Sequence, residues 1–100
     1  MAIQLIFDSA EHFEELIAAQ DYELATSFVE SMLDNVNADE ETVSVIEAYF
    51  EEEDTIYDFE IEKVNFIPNF KEFLTIYERE EDYEGCLVIS NAIKTLEGQA

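Results

Sequence analysis

One hundred residues, 48% of them hydrophobic and 13% aromatic, are enough for a single acidic domain spanning 1–100 with a core of its own. Twenty-six acids against four bases give a formal charge of −22, which disfavours direct binding to nucleic acid or to an anionic membrane and favours a cationic partner. The imbalance is lopsided, because residues 1–62 hold nineteen acids and no Lys or Arg, while Lys63, Lys71, Arg79 and Lys94 all follow.

The chain opens on Ala2 to Phe7 (AIQLIF), short and apolar, which reads as a strand or an extended lead-in. Asp8 with Glu11 then reads as a capping box for a helix that places Phe13, Leu16 and Ile17 on one face. Asp21 reads as the next N-cap, and Leu24, Ala25, Phe28, Val29, Met32, Leu33 and Val36 make a helical stripe to about Asn35. With so short a joint the two helices form an αα-hairpin. Asn37 with Glu40 repeats the capping signal, and Val43, Ile46, Tyr49 and Phe50 predict a third helix to about Glu53.

From Thr55 the period changes. Tyr57, Phe59 and Ile61 alternate with Asp58, Glu60 and Glu62, the two-residue repeat of a half-buried strand, with a helix over 55–66 as the alternative. The expected partner of that strand is the Ala2 to Phe7 segment. Pro68 suits the first turn of a fourth helix, whose buried stripe is Phe70, Phe73, Leu74 and Tyr77. Asp82 caps a fifth, carrying Cys86, Ile89, Ile93 and Leu96, with Lys94 in its last turn and Gly98 beyond it. The expected fold is mainly α, about five helices arranged as two αα-hairpins plus a central helix. An α+β arrangement with a small two-stranded ribbon is the alternative.

Asp21-Tyr22-Glu23 and Asp82-Tyr83-Glu84 stand at the same joint of the two helix pairs, 61 residues apart. Two copies at that offset fall short of a solenoid, so the tripeptide reads as good chemistry for a tight corner: a cap, an amphipathic ring and a first-turn acid. The segment Glu78 to Glu97 (EREEDYEGCLVISNAIKTLE) resembles the UVR helical hairpin of the UvrB and UvrC repair proteins. Ser90-Asn91 replaces the Arg-Asp usual there, and no function is carried over.

Catalytic chemistry is not legible. The chain has one His, one Cys and two Gly, hence no phosphate-cradling glycine loop and no pair of Glu-x-x-His motifs for a di-iron site. His12 reads as a surface residue of the first helix and Cys86 as a small core hydrophobe. The EF-hand pattern is missing, so neither a metal site nor a cofactor is expected, and the chain does not read as an enzyme. No apolar run long enough to span a membrane occurs, no signal-peptide pattern opens the chain, and a lone cysteine forms no internal disulfide. Together these place the expected location in the cytoplasm.

What remains is the acid-rich stretch from Glu47 to Glu62, EAYFEEEDTIYDFEIE, eight carboxylates interleaved with Tyr49, Phe50, Ile56, Tyr57, Phe59 and Ile61. A disordered acidic tail would lack those aromatics, so this is a folded surface. In a strand, Asp58, Glu60 and Glu62 face one way about 6.8 Å apart, and phosphates along one DNA strand are roughly 7 Å apart through space. The chain resembles the small acidic, often phage-encoded DNA-mimic proteins that occupy the nucleic-acid sites of restriction enzymes, CRISPR effectors, DNA glycosylases or nucleoid proteins. The resemblance is one of size, charge and folded acidic surface, with no shared motif.

It implies an inhibitor of a basic DNA- or RNA-binding protein. Its phosphate surrogates would be Asp39, Glu40, Glu41, Glu47, Glu51, Glu52, Glu53, Asp54, Asp58, Glu60 and Glu62, with Tyr49 and Tyr57 as anchors. A homodimer through Phe66, Ile67 and Phe70 would lengthen the charged surface. The alternative function is a small helical adaptor that binds through apolar helix faces, the acids serving solubility.

Overall fold

Four β-branched residues within five positions, Thr42, Val43, Val45 and Ile46, lose side-chain freedom in a helix and suit a pleated surface. In the computed structural model, which describes residues 2–99, they form a strand in place of the expected third helix. The order is β1 (Ile3–Phe7), α1 (Ala10–Ala18), α2 (Tyr22–Asp34), β2 (Thr42–Phe50), β3 (Thr55–Glu62), α3 (Phe66–Arg79) and α4 (Tyr83–Gln99), with one 3-10 turn at Lys63–Asn65. The fold is therefore α+β, four helices and a three-stranded mixed sheet among the described residues, and the mainly α expectation is overturned.

The helical look of 42–50 has a specific cause. The β2–β3 register shifts between Ser44 and Ile46, so Val45 is an extra residue and both it and Ile46 turn inward. Such a bulge breaks the two-residue alternation, leaving Val43 and Ile46 three apart, as on a helix.

The sheet runs β1-β2-β3, with β2 parallel to β1 and antiparallel to β3. Strand β1 thus pairs with β2 and not, as expected, with β3. A parallel neighbour needs a crossover, which α1 and α2 supply as successive helices that scarcely pack on one another. The expected first αα-hairpin is therefore not formed, whereas α3 and α4 do pack together.

The helices cover one face of the sheet. Phe7, Val43, Val45, Ile46, Ala48 and Phe50 meet Phe13, Leu24, Phe28, Met32, Phe66 and Phe70 in a single core. Phe13 ties the layers, edge-on to Phe7 at 4.9 Å and stacked on Phe59 at 4.8 Å between ring centroids. The Cα envelope measures 43 × 32 × 16 Å, the proportions of a two-layer plate. Phe66 and Phe70, expected as dimer contacts, are fully buried in this core and unavailable to a partner.

Local signals fared unevenly. Ser9, not Asp8, caps α1 by accepting from the His12 amide, while the Asp8 carbonyl accepts from Glu52 in the β2–β3 turn. Asp21 and Asp82 cap α2 and α4 as expected, through the Leu24 and Gly85 amides. Gly98 lies inside α4, and Lys94 falls outside its last turn.

The two corners are built alike. Gln20 and Glu81 take the left-handed conformation, φ 53° and 59°. The Asp21 and Asp82 amides then reach back to the Leu16 and Tyr77 carbonyls, and those of Gln20 and Glu81 to Ile17 and Glu78. Both are Schellman motifs without glycine. They also touch: the Tyr22 hydroxyl donates to Asp82 Oδ2 at 2.5 Å, and Arg79 donates to the Gln20 carbonyl at 2.7 Å.

The Tyr22 hydroxyl and then the Gly85 amide hold the Asp82 carboxyl below its ordinary value, against the opposing effect of burial. A carboxyl lowered on folding stabilises the protein above its unfolded pKa of about 3.9, and that stability is lost as pH falls through the folded value. Asp82→Asn should therefore lower stability at pH 7 and flatten its decline below about pH 4, as read by chemical denaturation across pH.

A second expectation concerns Gly85, in the first turn of α4. A Cβ there would stand 2.4 Å from Cδ2 of Tyr77 and 2.8 Å from Oδ2 of Asp82. The Tyr77 ring is buried and cannot yield. Gly85→Ala, which helix propensity alone would favour by about 1 kcal/mol, should instead destabilise by about 1–3 kcal/mol in a denaturant titration.

Candidate functional site

The face of the sheet away from the helices is left open, and the β2–β3 hairpin carries its charge. Alternation puts Ser44, Glu47 and Tyr49 of β2 on that face beside Ile56, Asp58, Glu60 and Glu62 of β3, with Gln4 and Ile6 of β1. The expected strand alternation over 57–62 holds, since Asp58, Glu60 and Glu62 are exposed while Phe59 and Ile61 are half-buried. Glu47 and Asp58 are direct cross-strand partners, and like charges so placed repel. Ser44 donates a hydrogen bond to Asp58.

The remaining acids close the two ends of the hairpin. Glu51, Glu52, Glu53 and Asp54 form its turn, in which Asp54 has φ 50° and its amide donates to the Glu51 carbonyl at 3.2 Å. The Glu51 and Glu52 amides donate to the Phe7 and Asp8 carbonyls, which fixes the turn to the end of β1. Glu53 is partly committed elsewhere, because its carboxylate accepts from the Ala10 amide at 2.9 Å and so satisfies a free donor at the start of α1.

At the other end, Asp39, Glu40 and Glu41 precede β2 and share an open hollow of about 840 Å³ with Glu62 and Lys63. Lys63 does not neutralise them, since its ammonium donates to the Ala38 carbonyl and stands 5.6 Å from the Phe66 ring centroid. The single ion pair among the described residues, Arg79 with Glu80 at 3.2 Å, lies far along the chain in the α3–α4 corner. All eleven surrogate acids are exposed except half-buried Glu47, and the structure gathers them on one hairpin and its approach.

The two tyrosines expected as anchors face opposite ways. Tyr49 is on the open face, half-buried, and its hydroxyl donates to Asp54 at 2.6 Å. That bond, then burial and the charges of Asp54 and Glu51, raises the Tyr49 phenol above its ordinary value. Tyr57 shares the helix-side face with Phe59 and Ile61, so it cannot sit at the centre of the acidic surface.

Sequence reasoning missed two residues of the open face, Ile6 and Ile56, which are 70% and 67% exposed. They flank Tyr49 in register and make an apolar row beside the acidic turn. Parity carried the signal, because Ile56 is in phase with Asp58, Glu60 and Glu62.

His12 is half-buried, and its Nδ1 has no hydrogen-bond partner among the described residues. Cys86 is half-buried, and burial first, then Glu78 and Asp82, raises its thiol above the ordinary value. No cluster of three His, Cys, Asp or Glu is arranged to hold a metal among the described residues, and no helix there is long and apolar enough to cross a membrane. The chain matches no protein-family model, no curated protein and no solved structure.

Proposed function

We propose that this protein is a non-enzymatic inhibitor that offers the carboxylates of its β2–β3 hairpin, in place of DNA phosphates, to the nucleic-acid-binding site of a basic protein. The observation that carries the reading is the Glu47–Asp58 pair, like charges set directly opposite on an open sheet with no base paired to either among the described residues. Such a pair opposes folding, and any neutral residue on either strand would relieve it. Eight residues of β3 extend about 27 Å, the rise of about eight base pairs, and the acids of the turn and of 39–41 continue past both ends.

The test is capture of partners from bacterial lysate on the immobilised protein, eluted first with duplex DNA and then with a salt gradient. Nucleic-acid-binding proteins leaving with the DNA, whose own DNA binding one equivalent of this protein blocks, are the expected result. Partners that ignore DNA and salt and leave only with denaturant would refute it.

That second outcome would favour the adaptor reading, which has an observation of its own. Tyr83, Leu87 and Val88 form an exposed apolar stripe along α4. Binding through that stripe would tolerate salt and survive changing Glu51, Glu52 and Glu53 to lysine.

A further inference from the structure

The β3 strand has a second capability that the acidic face does not use. Among the described residues it is hydrogen-bonded to a strand, β2, on one side only, which leaves the backbone groups of its other side as a sheet edge. Unpaired edges invite another strand, and proteins guard them with charge. Here Asp58, Glu60 and Glu62 supply the charge on one face, but the other face is not closed.

Two neighbouring hollows with shared lining residues lie on the helix side of β3. The larger, about 560 Å³, is lined by Phe13, Ile17, Phe50, Tyr57 and Phe59. The smaller, about 260 Å³, extends past Ile61 to Phe73 and Ile76 of α3. Ile17 and Phe28 line both. Tyr57 is 57% exposed at the mouth of the larger one, whose volume is in the range of ligand pockets, about 300–1,000 Å³.

We infer that the β3 edge is a strand-addition site for an extended segment of a partner protein in which basic and large apolar residues alternate. A strand docking about 4.8 Å from β3 brings its side chains into phase with those of β3. Every second residue then turns into the apolar lane beside Tyr57, Phe59 and Ile61. The residues between them lie beside Asp58, Glu60 and Glu62 and must be cationic. Main-chain hydrogen bonds supply affinity in this mode, and the alternate lanes supply specificity.

Charge selects the occupant. A second copy of this chain, docking β3 on β3, would set the same three acids against each other. A lysine- or arginine-bearing strand would instead neutralise them. Because the site depends on the backbone edge and the apolar lane, it stands apart from the duplex-mimic reading, although Asp58, Glu60 and Glu62 serve both.

The probe is a synthetic nine-residue peptide, Lys-Val-Lys-Phe-Lys-Phe-Lys-Val-Lys, titrated by fluorescence anisotropy at about 0.15 M salt. Two control peptides have the same composition, one with its lysines and apolar residues in separate blocks, the other N-methylated at alternate amides. The alternating peptide should bind at least about tenfold more tightly than either control, and hydrogen exchange should slow across 55–62. Tyr57→Ala, at an exposed position, should weaken it about tenfold while leaving DNA-competed capture of basic proteins intact.

Equal binding of all three peptides would reduce the effect to net charge and overturn the inference, as would protection confined to the acids of the open face. DNA-competed partners together with indifference to the alternating peptide would retain the mimic reading and remove this one. A concentration-dependent dimer protected along β3 in the absence of peptide would assign the edge to a second copy and overturn the cationic occupant.

Discussion

Changing Glu47, Glu60 and Glu62 together to lysine, with Asp58 left in place, should lower the affinity for a DNA-competed partner by at least about a hundredfold, and should at the same time raise the melting temperature. Each reversal replaces an attraction to a basic site by a repulsion, and about 1 kcal/mol from each of three suffices, since 1.4 kcal/mol is tenfold. Stability moves the other way because the open face now repels itself: Glu47 faces Asp58, and the acids of 39–41 and 51–54 are close by. The single change Glu47→Lys turns a like-charge pair into an opposite-charge pair, worth about 0.2–1 kcal/mol. The readings are competition binding against duplex DNA and thermal unfolding in low salt, where screening is least. Loss of binding with a gain in stability marks a surface kept against the interest of the fold. Unchanged capture by the triple variant would place the function elsewhere.

Phe70→Ala should destabilise by about 3–5 kcal/mol, the range for emptying a buried phenylalanine site. The ring is fully buried and meets Phe66 edge-on at 6.0 Å between centroids, so a truncated side chain leaves a cavity that neither α3 nor the sheet can fill. Against a total of about 5–15 kcal/mol this takes about a fifth of the margin or more. At about 4–8 °C per kcal/mol the melting temperature falls by at least about 12 °C. Leu87→Ala, exposed on α4, should stay within about 0.5 kcal/mol of the parent and serves as the control. A loss below about 1 kcal/mol at Phe70 would mean that α3 is not seated on the sheet as described.

The four helices were legible because their signals are local. Asp21 and Asp82 at caps, Pro68 near the start of α3 and an apolar residue at every third or fourth position act within one turn and need no distant partner. The central strand was not legible, for two reasons. The bulge at Val45 destroyed the alternation that would have announced it, and the β-branched content of 42–46 was outweighed by the cap-like Asn37 and Glu40. The pairing of β1 depends on that strand, so the sheet order is hidden with it.

At the site, strand parity in 57–62 was enough to put three carboxylates on one face. It could not reveal that Glu47 opposes Asp58 across the ladder, because register belongs to the pairing and not to either strand. Nor could it show Glu53 serving α1, a contact across 43 residues with no local mark.

The paired corners have a consequence for recognition. The bond from Tyr22 to Asp82 joins positions 60 apart, and the whole acidic hairpin lies inside the loop it closes, between two turns of the same design that hold one another. The hairpin is also tied at its own roots, where the Lys63 amide donates to the Glu41 carbonyl at 2.6 Å. Its turn is fastened to β1 as well, through the Phe7 and Asp8 carbonyls. A partner meeting this surface has little chain to order, and the entropy that a flexible acidic tail would surrender on binding has already been spent in folding.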